Sequence, residues 1–127
     1  VPMSGIPFHR YFYVADTEEQ ARRDTKAALE WVADVGQWRR AFKEGSEVHG
    51  KLADWRMERT ETPPSYDYLY ENRAIIGSPD QCIAKIKALQ EQGIGYFVCN
   101  FFFGDLPHEK VMQSMKLFSK EVMPAFG

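Results

Sequence analysis

The chain has 127 residues, 44% of them apolar and 27% charged, with a formal net charge of −2. That length and apolar content make one ordinary core and a single domain over residues 1–127. The slightly acidic balance argues against nucleic acid or an anionic membrane surface as the main partner, and no apolar run approaches the roughly 20 residues of a membrane span.

Residues 1–7 hold two prolines and one glycine and read as an irregular lead-in. His9-Arg10-Tyr11-Phe12-Tyr13-Val14-Ala15 is aromatic and β-branched, stops at Asp16, and reads as the first strand. Thr17-Glu18-Glu19-Gln20 has the spacing of a capping box and opens a long helix, from about Glu18 to about Phe42. Ala21, Ala28, Leu29, Val32 and Val35 form its apolar face, and Gly36 is a place for it to kink or end. Residues 45–74 differ in kind, with Gly45, Gly50, Pro63 and Pro64, dense charge and no strong period. An excursion of that length in a compact domain is a functional lid or a poorly ordered connection, with room for one short helix over Ser65–Asn72.

From Ile75 the punctuation becomes clear. Gly77-Ser78-Pro79-Asp80-Gln81 is a helix start, with Ser78 as N-cap, Pro79 in the first turn and Gln81 closing the box. Cys82, Ile83, Ile86 and Leu89 follow at helical spacing, and Gly93 stands where a left-handed C-cap belongs. Tyr96-Phe97-Val98-Cys99-Asn100-Phe101-Phe102-Phe103 is a short, nearly unbroken apolar run, the pattern of a strand buried on both faces. Pro107 opens a last helix with the stripe Val111, Met115, Phe118 and Val122, and Pro124 closes it. The order is strand, helix, long excursion, helix, strand, helix: an α/β fold with two parallel strands and their helices on one side. The start Val1-Pro2-Met3-Ser4-Gly5 has no basic region or apolar core of a secretion signal and lacks an initial Met. It reads as a trimmed or partial product in the cytoplasm, where Cys82 and Cys99, without metal-like spacing, would be buried free thiols.

These residues resemble the luciferase-like flavin-dependent monooxygenases. Arg10-Tyr11-Phe12-Tyr13-Val14-Ala15-Asp16-Thr17-Glu18-Glu19-Gln20-Ala21 is similar to the seventh strand of that family's (β/α)8 barrel and the helix start after it. Ile75-Ile76-Gly77-Ser78-Pro79 resembles the start of the helix leading to the eighth strand. Phe101 to Glu109, then Ser114-Met115-Lys116-Leu117-Phe118 and Glu121-Val122-Met123-Pro124, resemble the closing strand and helix. The resemblance implies a partial TIM barrel made of the last two βα units, a C-terminal portion with FMN or a deazaflavin as the family's cofactor. A full barrel takes about 250 residues, so the parts that would carry most of the flavin contacts lie outside this sequence. The portion is then expected to be inactive on its own.

Barrel active sites lie at the C-terminal ends of strands, here near Asp16 and near Gly104-Asp105. Asn100, polar inside an apolar strand, is a candidate for hydrogen bonding a flavin or substrate; the plainer reading is a buried amide satisfied by its neighbours. Gly77 and Ser78 at a helix N-terminus suit a phosphate, or simply cap the helix. Arg39, Arg40 and Lys43 suit a phosphate or form a solvated helix face. Trp55 and Tyr68, with Tyr66 and Tyr70, are candidates for a lid over a planar substrate, or for a small core of the excursion's own. His108, near a strand end, is the weak candidate for a catalytic proton carrier, against a plain surface imidazole. His9, His49 and His108 lack ligand spacing, so no metal is expected.

A two-stranded sheet with helices on one side would leave Tyr11, Tyr13, Phe97, Phe101 and Phe103 with a bare face. Pairing through the strands, as a homodimer or higher homo-oligomer, would cover it. The competing reading is therefore a self-associating α/β binding or structural module without catalysis. A small flavin enzyme built at an oligomer interface is a third.

Overall fold

The computed structural model describes residues 3–45 and 65–126, the side chains of residues 3 and 36–45 excepted. After a 3₁₀ turn at Met3–Gly5, the chain forms β1 (Phe8–Val14), α1 (Glu18–Gly45), α2 (Tyr66–Asn72), β2 (Ala74–Gly77), α3 (Pro79–Glu91), β3 (Phe97–Asn100) and α4 (His108–Leu117). A π-helical segment, Phe118–Val122, and a 3₁₀ turn, Met123–Phe126, follow α4 directly. The three strands form one sheet in the order β2-β1-β3, parallel throughout.

The helix starts follow from their sequences. Thr17 Oγ1 accepts from Gln20 N (3.1 Å) at the start of α1, and Ser65 Oγ accepts from Tyr68 N (3.1 Å) at the start of α2. At α3 the full capping box forms, Ser78 Oγ taking Gln81 N and Gln81 Oε1 taking Ser78 N. Its far end is a Schellman motif: Gly93, at φ 102°, lets Ile94 N reach Leu89 O (3.1 Å) while its own N–H reaches Gln90 O (2.9 Å).

Four expectations are corrected. First, the sheet has three strands, because Ala74–Gly77 is a fully buried strand beside β1. Four residues carry too little period to be recognised ahead of the helix signal that follows. Second, helices cover both faces. The step from β1 to β2 and the step back past β1 to β3 run in opposite directions, so crossovers of one hand put α1 and α3 on opposite sides. Tyr13, Ala74 and Ile76 accordingly pack with Ala28, Leu29, Leu69 and Tyr70, while Phe12, Val14 and Ile75 pack with Cys82, Ile86 and Val122. Cover on the first face stops short: His9 and Val98, paired across β1 and β3, are both exposed. Third, β3 ends at Asn100, because Asn100 Oδ1 takes the Phe102 N–H (3.1 Å) and turns the chain out of the ladder. Phe102 is left 66% exposed. Fourth, α1 runs on through Gly36 to Gly45, and Pro124 lies inside the last 3₁₀ turn.

Met115, expected in the core, is 44% exposed; Ser114 is the buried residue there. β3 is too short to pair the far end of β1, and Ser114 Oγ accepts the Val14 N–H at 2.8 Å in its place. A donor at that depth without a partner is costly. Ser114→Ala is expected to lose about 1–3 kcal/mol of stability in urea unfolding, while Ser119→Ala, on the exposed side of the same helical run, changes it by under about 0.5 kcal/mol. Equal effects at the two sites would remove Ser114 from that role.

Candidate functional site

The carboxyl ends of β1 and β2 open on one side into a cleft of about 560 Å³ lined by Asp16, Pro79, Gln113, Lys116, Leu117, Lys120 and Glu121. α3 contributes its first residue, and α4 with its π-helical continuation forms the opposite wall. Lys116, Lys120 and Glu121 line the helical wall and Asp16 the strand side, with Pro79 and Leu117 as its apolar lining. The cleft is open and charged, fit for a polar, solvated group.

Beside it lies a network that ties three helices to the sheet. Glu18 accepts from Gln81 Nε2 (2.7 Å), from Arg22 Nε (3.3 Å) and from the Tyr70 hydroxyl (3.3 Å). Those donors, Gln81 foremost, hold the Glu18 carboxyl below its usual range. A lowered folded-state pKa stabilises the fold at neutral pH, and that contribution is lost as pH falls through it. Arg22 also reaches Asp67 at 3.3 Å, and both Arg22 and Lys85 lie 4.0 Å from the centre of the Tyr70 ring. Burial, then the Glu18 charge, pushes the Tyr70 hydroxyl up to about 12. On the other side of α1, Asp24 accepts from Tyr13 Oη (2.8 Å) and from Lys110 Nζ (3.0 Å), joining β1, α1 and α4. These contacts position the strand ends; none leaves a reactive group turned into the cleft.

The candidate residues are dispersed. Gly77 and Ser78 lie at the end of β2, where the capping box engages part of the anion-binding donors. Pro79 has no N–H, Gln81 N goes to Ser78 Oγ, and Ser78 N goes to Gln81 Oε1 (2.9 Å), which takes two of the donors there into the capping box. Asn100 is half-buried, and its Oδ1 makes the turn to Phe102. His108 is exposed at the first position of α4 and does not line the cleft. Tyr68 is 48% exposed on α2, whereas Tyr66 and Tyr70 pack inward at 5.9 Å from each other. Trp55 and His49 lie outside the described residues, as do the side chains of Arg39, Arg40 and Lys43. Among the described residues no group of His, Cys, Asp or Glu is placed to hold a metal, and no helix is long and apolar enough to cross a membrane. Cys82 is buried and Cys99 half-buried, both as free thiols. The cleft residues Lys116, Lys120 and Gln113 were not singled out by sequence, since solvated lysines on a helix carry no signal until a strand end is placed opposite them.

A family model described as luciferase-like monooxygenase matches residues 5–95, from the lead-in through α3. The chain belongs to the luciferase-like monooxygenase family. No curated protein sequence matches it. Among solved structures, the monooxygenase RslO1 from Streptomyces bottropensis is similar, with 21% identity and a TM-score of 0.59 over 98% of this chain and 32% of that one. The oxygenating constituent of 3,6-diketocamphane monooxygenase of Pseudomonas putida, a type II Baeyer-Villiger monooxygenase in complex with FMN, is similar with 23% identity and a TM-score of 0.61. It is covered over 96% of this chain and 34% of its own. The likeness at these identities is one of fold, and this luciferase-like chain spans about a third of each structure.

The charged, open cleft does not by itself fit a flavin ring. The face carrying Tyr13 and Ile76 is filled by α1 and α2.

Proposed function

We propose that these residues are the C-terminal portion of a luciferase-like flavin-dependent monooxygenase, with β1 and β3 as the last two strands of its barrel. The single observation supporting this reading is that nearly all of the chain superimposes on an FMN-bound monooxygenase while spanning 34% of it. The parallel pairing of β1 with β3 is compatible with that assignment, and β2 pairs the other edge of β1. The portion's work is structural: it fixes the strand ends of one sector of the wall and supplies the charged cleft beside them. FMN and substrate are then held mainly by the rest of the enzyme, and the chain alone is not a monooxygenase.

Flavin titration tests this. FMN added to the purified chain is expected to show no saturable fluorescence quenching at concentrations up to about 100 μM, which corresponds to binding weaker than roughly −5.5 kcal/mol. One-to-one binding in the micromolar range would show that this portion holds its own cofactor, and the reading of an incomplete site would be lost.

A further inference from the structure

We draw no further inference here: the strongest candidate, the open cleft at the carboxyl ends of β1 and β2 with Lys116 and Lys120 on its helical wall, belongs to the site already described, and its two ammonium groups are balanced by the carboxylates of Asp16 and Glu121, so nothing in the structure says which ligand would fill it.

Discussion

Phe12→Ala is expected to lower the stability of this chain by about 3–5 kcal/mol, seen as a lower urea midpoint at unchanged slope. Phe12 sits in the central strand and is fully buried. Its ring lies 5.6 Å from that of Phe101, 5.5 Å from that of Phe118 and 6.4 Å from that of Phe97, so one side chain ties the β3 stretch and the π-helical segment to the central strand. Removing it loses the transfer free energy of the ring and leaves a cavity that strands and helix cannot both close. Phe12→Leu keeps much of the volume and is expected to cost clearly less. A loss under about 1 kcal/mol for the alanine variant would mean that this second cluster is not packed as described.

Gly104→Ala is the counterpart in a loop. Gly104 has φ 60°, and a Cβ placed there would stand 2.6 Å from both the Cα and the carbonyl oxygen of Ala28. The clash is with helix backbone, which cannot swing aside as a flexible side chain can. The left-handed conformation and the overlap together are expected to cost about 3 kcal/mol or more, with a fall of roughly 10 °C or more in melting temperature. The loop bearing Phe103 and Leu106 would lift from α1, so near-ultraviolet circular dichroism should weaken before helix content does. Adding Ala28→Gly is expected to recover little, since two of the three closest atoms are backbone. Full recovery would place the strain in the Ala28 methyl group instead.

Some features needed no tertiary information. The capping box at Ser78 and Gln81, the C-cap at Gly93, the strand through Tyr11–Val14 and the short helix after Ser65 were all legible, because each is decided by residues within a turn of one another. The family was legible for a related reason: those local signals occur in a fixed order. The candidate site was less so. Ser78 and Asn100 were visible as unusual residues, but whether their side chains face a ligand or their own backbone depends on two- and three-residue geometry that composition does not show. The structure places both on backbone.

The sequence by itself determined the class of each strong element, the positions where helices begin and stop, and membership of the luciferase-like monooxygenases. Only the tertiary structure decided that Ala74–Gly77 is a strand, that α1 and α3 lie on opposite faces, and that Lys85 meets the outward carbonyl of Ile76 on the β2 edge. The physical reason is separation along the chain. The bond from Val14 N to Ser114 Oγ spans 100 residues and that from Tyr11 N to Arg73 O more than half as many, and neither partner bears a local mark of the other. Capping is settled within a turn of helix, whereas strand order and edge closure are settled by which distant groups come to meet.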